Sequence, residues 1–275
     1  MLEVSQRRAC AALGVSRSTA RYEPTVRDDE QELTEKLAEL KVTYPEWGYK
    51  KMTRCLKNLG YNVNHKRVMR IWQRNGWQVP KKSSSTKKAP GATENACHVR
   101  CAEMGNQVWA VDFVSDTTLD GRKLRVLTVL DEYTREGLAI EVGRSMGAKQ
   151  VREVLTALVK QRGAPQFVRS DNGSEFTAQL VQKALEGLGS ESAFIAPGSP
   201  WQNGKNERFN GIVGQEVLNK ELWGSVVEAQ AVTKQWLVVY NTIRPHGSIG
   251  LMTPHQYALH AREQGLWFSN EANTG

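Results

Sequence analysis

The chain has 275 residues, a formal net charge of +8 at pH 7 and 40% hydrophobic residues. That length suffices for one sizeable core and a smaller module. Because no run of about 18 apolar residues and no signal peptide is present, we expect a cytoplasmic protein outside the membrane, with free thiols at Cys10, Cys55, Cys97 and Cys101.

The positive charge is concentrated in the first part of the chain. Residues 1 to 100 carry 20 Lys and Arg against 10 Asp and Glu, and the remainder carries 17 against 19. Residues 50 to 90 contain 12 basic residues and no acidic one. This pattern is typical of a surface that binds nucleic acid. A solvated basic helix pair followed by a basic linker has the same composition, so composition leaves both interpretations open.

The first segment, residues 1–24, resembles a helix-turn-helix in its spacing. An apolar helical stretch breaks at Gly14, and Ser16 is placed to cap a second short helix. This spacing favours contact with DNA or with another module over a plain helical scaffold.

Residues 28–80 predict a second helical module, in which apolar residues such as Leu33, Leu37 and Leu40 recur at helical spacing. Its last helix has an apolar face and a cationic face, which makes this module the better candidate for DNA binding. A flexible basic linker is predicted at 81–105. The candidate DNA contacts in the helical module are Lys50, Lys51, Arg54, His65, Lys66, Arg67 and Arg70.

From Val108 the pattern changes to strands that alternate with helices. Strands are predicted at 108–114, 124–130, 138–142, 167–170 and 193–195, and helices at about 149–161, 178–188, 204–220 and 226–240. Asp120-Gly121 predicts a hairpin turn. This order predicts an α/β fold with a mixed five-stranded sheet flanked by helices, over residues 106–262. The chain after the helix at 226–240 is predicted to be irregular, and residues 263–275 form the C-terminal tail.

Three acidic residues have neighbours that do not suit a plain surface. Asp112 lies inside an apolar strand, where an uncompensated charge would cost several kcal/mol. Asp171 follows a buried strand, at the sheet edge where ligand-binding residues gather. Glu207 lies early in a helix that can point at the same edge. Each alone is more often a surface or capping carboxylate, but as a set they predict a metal centre.

Three converging carboxylates repel one another unless cations lie between them, and hard divalent ions with oxygen ligands are the usual solution. Two Mg²⁺ or Mn²⁺ ions roughly 4 Å apart can activate a water or a 3′-hydroxyl and stabilise the leaving oxygen. We therefore predict that Asp112, Asp171 and Glu207 are both metal ligands and catalytic residues.

The motifs around these acids resemble one family closely. The segments W-A-V-D-F-V-S-D, R-S-D-N-G-S-E-F and N-G-K-N-E-R-F-N-G are similar to the signature blocks of DDE transposases of the retroviral-integrase type, and 35 residues lie between Asp171 and Glu207. D-E-Y-T-R-E and Y-N-T-I-R-P-H, with G-Y-K-K-M and N-H-K-R-V upstream, resemble the second-frame transposase of bacterial insertion sequences. The resemblance covers about residues 5 to 257.

The resemblance implies an RNase H-like integrase catalytic core that cleaves element ends and transfers the freed 3′-hydroxyl. It implies that double-stranded DNA is the partner, as terminal inverted repeats and as target, and that the protein is a homo-oligomer associated with the nucleoid. It also implies an upstream-frame product, often fused by frameshifting, since this chain contains no heptad run. Lys205, Arg208 and Arg244 are further candidate DNA contacts.

One position departs from the family pattern. Related transposases usually carry Lys or Arg seven residues after the catalytic Glu, and here that position is Gly214. Gly211 lies on the same helical face. We therefore expect this chain to bind element ends more weakly than its relatives do, and the variant Gly214→Arg to bind them more strongly than the wild type.

Weaker signals stay open. Asp116 shares a strand face with Asp112 and is a candidate helper, and Asp131 is an alternative acid. Arg244 and His246 either contact DNA or close the fold. Asn172 and Gly173 are expected to shape the turn that holds Asp171. Zinc at Cys97, His98 and Cys101 is not favoured, because no second ligand pair has suitable spacing.

Two other functions compete with a transposase. One is a cellular nuclease of RNase H-like fold, for which element ends have no privilege over other duplexes. The other is a catalytically decayed protein that still binds DNA.

Overall fold

The computed structural model describes residues 4–22, 28–79, 101–195 and 203–269. The chain divides into two compact units, Met1–Pro45 and Glu46–Gly275. No helix among the described residues is both long and apolar enough to cross a membrane. Of the predicted linker, only residues 101–105 are described. Cys97 and His98 lie outside the described residues.

The described residues of the first unit form three helices, α1 (Gln6–Ala12), α2 (Arg17–Ala20) and α3 (Glu30–Thr43). The break between α1 and α2 occurs where it was predicted, because Gly14 adopts a positive φ of 64° that suits glycine. Ser16 then caps α2 by accepting a hydrogen bond from the backbone N–H of Thr19. The predicted break and helix cap are therefore present, while the helix-turn-helix interpretation of residues 1–24 stays a prediction.

The second unit opens with α4 (Tyr49–Asn58) and α5 (His65–Arg74), which pack against each other. The apolar residues at helical spacing are buried, among them Met52, Leu56 and Ile71. The prediction that Arg67 belongs to the cationic face of α5 is wrong, because this side chain is only 7% exposed. The exposed cationic face consists of His65, Lys66, Arg70 and Arg74.

The core of the second unit is the predicted mixed sheet of five strands, in the order β3-β2-β1-β4-β5. Strands β1, β2 and β3 form an antiparallel meander, and β4 and β5 run parallel to β1. The first hairpin turns at Gly121, which has a φ of 73°. The strands are β1 (Val108–Thr117), β2 (Lys123–Asp131), β3 (Gly137–Gly143), β4 (Phe167–Ser170) and β5 (Glu191–Phe194).

Helices cover both faces of this sheet. Helices α6 (Ala148–Arg162), α7 (Ser174–Thr177) and α8 (Gln179–Gly187) bury one face, around Val111 and Val129. Helices α9 (Gly204–Val213) and α10 (Val226–Thr242) bury the other, around Val126 and Leu130. Because side chains alternate between faces along a strand, Asp112 lies on the α9 face.

Two helical predictions need correction. The helix predicted at 204–220 is α-helical only to Val213, and continues as one π-helical turn, Gly214–Leu218. The chain after α10 is not irregular throughout, since it forms α11 (Pro254–Glu263). Beyond α11, the backbone of Phe268 donates to Gly105 O at 2.8 Å, so the described part of the predicted tail returns to the start of the core.

Candidate active site

Asp112 lies half-buried in the middle of β1. Its Oδ1 accepts a hydrogen bond from the backbone N–H of Phe113 at 2.7 Å, and its Oδ2 accepts one from Asn210 Nδ2 at 2.9 Å. Burial raises the pKa of the Asp112 carboxyl above its usual value, and the charges of Asp171 and Glu207 raise it further, while the two hydrogen bonds offset part of this rise. A cation beside Asp112 would relieve this electrostatic cost.

The register of two parallel strands brings Asp171 level with Asp112. Ala110 of β1 pairs with Arg169 of β4, and each aspartate lies two residues further along its own chain segment. Since adjacent strands are about 4.8 Å apart, the two aspartates occupy neighbouring positions, Asp112 in the middle of β1 and Asp171 directly after the end of β4.

The turn after β4 holds Asp171 as the sequence predicted. Its Oδ1 accepts from the backbone N–H of Gly173 at 3.0 Å, and a Cβ at Gly173 would lie only 3.0 Å from that oxygen. Asn172 Nδ2 donates to the carbonyl of Ile195 at 3.0 Å. Both residues therefore shape the turn.

Glu207 lies exposed in the first turn of α9, close enough for its charge to act on Asp112. One turn later, Asn210 donates to Asp112 and accepts from Thr128 Oγ1 at 2.8 Å. Asn210 thereby joins α9 to β1 and β2 and places Glu207 beside the aspartates. The sequence analysis missed this role, although a polar residue three positions after Glu207 lies on the same helical face.

The donor set suits hard divalent ions, because all three candidate ligands are carboxylates. Within the described ranges, no three His, Cys, Asp or Glu side chains converge closely enough to form a complete metal site. The charges of Asp171 and Glu207 nevertheless act on the carboxyl of Asp112. Drawing them together would need the compensation that cations supply.

Two other acids are occupied elsewhere. Asp116 Oδ2 accepts from Trp223 Nε1 at 2.8 Å, so this side chain anchors the loop before α10 and does not join Asp112. Asp131 is fully buried and accepts from the backbone N–H groups of Asn106, Tyr133 and Thr134. Asp131 therefore holds the turn between β2 and β3.

A buried ion-pair chain connects α9 with β4. Glu132, which is 2% exposed, pairs with Arg169 of β4 and with Lys205 Nζ of α9 at 3.2 Å. Arg169 lies two residues before Asp171, and Lys205 lies two before Glu207. These ion pairs therefore connect the elements that carry two of the three carboxylates.

The candidate DNA contacts divide into two groups. Lys50, His65, Lys66 and Arg70 are exposed on α4 and α5, where Arg54 is half-buried. The other group lines one cavity of 360 Å³ beside α9 and comprises Lys51, Lys205, Arg208 and Arg244.

Arg244 is 5% exposed, and its guanidinium makes a bidentate pair with Glu216. Its Nη1 also lies 3.3 Å from Nε2 of His246. These contacts favour the alternative in which Arg244 and His246 close the fold.

Family models match most of the described chain. An integrase core domain model matches residues 102–200, and a second integrase core domain model matches residues 188–254. A model of an HTH-like domain matches residues 28–83. The integrase core models coincide with the sheet and the helices that cover it, and the HTH-like model coincides with helices α3 to α5.

Two relatives extend the similarity along the chain. It is 34% identical over 261 residues to the uncharacterized 39.2 kDa protein of insertion element IS476 from Xanthomonas euvesicatoria, which covers 95% of this chain and 74% of the relative. It is 26% identical over 220 residues to the transposase for insertion sequence element IS904 from Lactococcus lactis, covering 77% of this chain and 87% of that protein.

Among solved structures, the fold resembles the simian T-cell lymphotropic virus intasome in complex with a PP2A regulatory subunit, with a TM-score of 0.55 and 17% identity. The match covers 87% of this chain and 80% of that one. This similarity confirms the fold of a retroviral integrase core. The chain therefore belongs to the integrase-core family of insertion-sequence proteins and is a DDE-type transposase that acts on DNA.

Proposed function

We propose that this transposase cleaves the ends of its own insertion sequence and transfers the freed 3′-hydroxyl to target DNA, with Asp112, Asp171 and Glu207 as the catalytic residues. The observation that carries this proposal is the level register of the two aspartates together with the hydrogen bond from Asn210 to Asp112. The alternative acids Asp116 and Asp131 both have structural partners, which makes them weaker candidates for this role.

The three carboxylates would hold two Mg²⁺ or Mn²⁺ ions. When bound, such ions stabilise the attacking and leaving oxygens of an in-line displacement. The chain supplies the positioning: Phe113 and Asn210 each occupy one oxygen of Asp112, and Gly173 N–H orients Asp171. The chemistry then needs no nucleophilic Ser or Cys.

The substrates in this proposal are the terminal inverted repeats and a target duplex. The exposed cations of α4 and α5, Lys50, His65, Lys66 and Arg70, would contact the backbone of the element end. A homo-oligomer on DNA and an upstream-frame product belong to the same proposal.

The test compares charge-removing variants of nearly equal shape. Asp112→Asn, Asp171→Asn and Glu207→Gln should each abolish end cleavage and strand transfer while DNA binding persists, because each change removes a metal-holding charge. The matched control is Asp116→Asn, on the same strand face, which should retain activity. Ca²⁺ should support binding only, because its looser coordination spoils the two-ion geometry.

The assays are cleavage of a duplex with the element end, cleavage of an unrelated duplex, and binding in chelator. Wild-type rates in any of the three variants would show that this residue is misassigned. Full activity in excess chelator would refute the metal mechanism. Equal cleavage of both duplexes would favour a general nuclease over an enzyme specific for element ends.

A further inference from the structure

The cavity beside α9 is formed by elements that are far apart in sequence. Its wall includes Lys51 of α4, Arg135 of the turn between β2 and β3, Arg208 of α9 and His246 after α10. At roughly 30 Å³ per water molecule, its 360 Å³ leaves room for a small charged group and several waters. Arg208 follows Glu207 directly in α9, so the helix that carries one of the three carboxylates also contributes to the cavity wall.

The cavity holds more positive than negative charge. Five cationic side chains line it, and two of them are neutralised: Arg244 by Glu216, and Lys205 by Glu132. Lys51, Arg135 and Arg208 form no ion pair with any carboxylate among the described residues. Three cations therefore share one concave space without a directly paired carboxylate among the described residues.

This crowding affects the groups in the wall. Burial lowers the pKa of Lys51 to about 8, and the charges of Arg244 and Arg208 contribute to the shift, while Glu216 and Glu46 oppose it. Burial also lowers the pKa of His246 to about 2, assisted by the same arginines, Lys51 and Arg135. Neutral His246 adds no charge, and the remaining cations repel one another.

Arg135 is held in this position against its backbone preference. Its φ of 65° lies in the left-handed region, which costs a residue other than glycine on the order of 1 kcal/mol. The buried carboxylate of Asp131 holds the turn, and Arg135 Nη1 donates to the carbonyl of Glu132 at 2.6 Å. Such strain concentrates at functional sites.

We propose that this cavity binds one phosphodiester group of the element-end DNA, shared by Lys51, Arg135 and Arg208. A phosphate supplies the missing negative charge, and arginines bind phosphate oxygens in fixed geometry. Since Lys51 belongs to the HTH-like region and Arg208 to the catalytic core, one phosphate would link end recognition to the active site. The inference rests on the proposed function, because it assumes a DNA end beside Glu207.

The first test is a salt series of DNA binding by the full chain, in chelator so that no cleavage occurs. Each phosphate contact contributes about 0.9 to the slope of log affinity against log salt. Lys51→Gln, Arg208→Gln and their double variant should each lose at most about one such unit. Separate contacts would make the double variant lose about two units. That result, or an unchanged slope, overturns the shared phosphate.

Lys160→Gln is the matched control. Lys160 is exposed in the last turn of α6, at the sheet edge where β4 begins and thus opposite Asp171. Its slope should equal that of the wild type. Thermal unfolding of the free proteins adds a second readout: Lys51→Gln removes repulsion, so its melting temperature should stay or rise while its DNA affinity falls. A fall in both would assign Lys51 to the fold.

The second test identifies the phosphate. Neutral methylphosphonates replace the phosphates of the element-end duplex one at a time. At one position, the methylphosphonate should weaken DNA binding by the wild type but should not further weaken binding by the double variant Lys51→Gln/Arg208→Gln. If every position weakens the variant as much as the wild type, no DNA phosphate occupies the cavity.

Inorganic phosphate is the probe for the alternative source of the same chemistry. Protection of the wild type against heat by phosphate, with no effect of the variants on DNA binding, would assign the cavity to a free anion and overturn the proposal. The outcome is separable from the catalytic proposal. Asp112→Asn should change cleavage without changing the salt slope, whereas the cavity variants should change the slope in the absence of metal.

Discussion

The buried pair of Arg244 and Glu216 offers a strong test of what the π-helical turn contributes. Glu216 lies in that turn and receives hydrogen bonds of 3.0 and 3.1 Å from Arg244 Nε and of 2.9 Å from Nη2. The two side chains are 11% and 7% exposed. Glu216→Gln keeps the shape but leaves the guanidinium buried among other cations. We expect a loss of about 3–5 kcal/mol in the free energy of unfolding, the usual cost of breaking a buried pair.

The assay is urea unfolding followed by tryptophan fluorescence, with an exposed ion pair as control. Lys234 Nζ lies 3.2 Å from Glu141 Oε1, and these side chains are 57% and 32% exposed. Glu141→Gln should therefore cost only about 0–1 kcal/mol. The double variant Glu216→Gln/Arg244→Gln should recover much of the loss, because no buried charge then lacks a partner.

The result that would refute this reasoning is a loss in Glu216→Gln as small as that in Glu141→Gln. The same variant also tests the alternative role of Arg244. If Arg244 contacts DNA, release from Glu216 should strengthen DNA binding and steepen its salt dependence. If it closes the fold, stability falls and the salt slope is unchanged.

Two further substitutions test α9. Asn210→Ala removes the bonds to Asp112 and Thr128 and should lower the end-cleavage rate about 10-fold or more, since a hydrogen bond to a charged group contributes about 1.5–3 kcal/mol; an unchanged rate would end the positioning role. Gly214→Arg should strengthen end binding and steepen the salt slope by about one unit, because it adds one phosphate contact. The position has room for a side chain, since a Cβ there meets only Asn219 Nδ2 at 3.9 Å. Gly211→Ala, with nothing within 4 Å, is its uncharged control, and an equal slope in both variants would mean that the family's contact is not available here.

The strands were predictable from sequence because each has a local signal. Continuous apolar runs fixed four strands to within a few residues, and Asp120-Gly121 marked the hairpin. The short strand β5 was placed two residues too late at its start, since its exposed and half-buried residues show no clear alternation. Helix α11 was missed despite its signal: Thr253 caps it, Pro254 begins it and Gln256 completes a capping box.

The catalytic candidates were predictable as residues, but their partners were not. Motif spacing identifies Asp112 and Glu207, whereas the bond from Asn210 to Asp112 joins residues 98 positions apart. Arg67 was wrongly assigned to the cationic face of α5 for a related reason. Helical periodicity places Arg67 near a boundary between faces, and packing, which is not local, decides that it is buried.

The π-helical turn shows why local patterns cannot specify the end of α9. A helix that stayed α-helical beyond Val213 would carry Glu216 round by a different angle, because one π turn holds an extra residue. In the structure this turn brings Glu216 against Arg244, and Val217 and Leu218 into the core beside Trp223. The glycines at 211 and 214 tolerate such a change of winding at a cost of about 1 kcal/mol each. Gly214, where the sequence departs from the family pattern, thus begins the turn that places Glu216 against Arg244, a residue of the cavity wall.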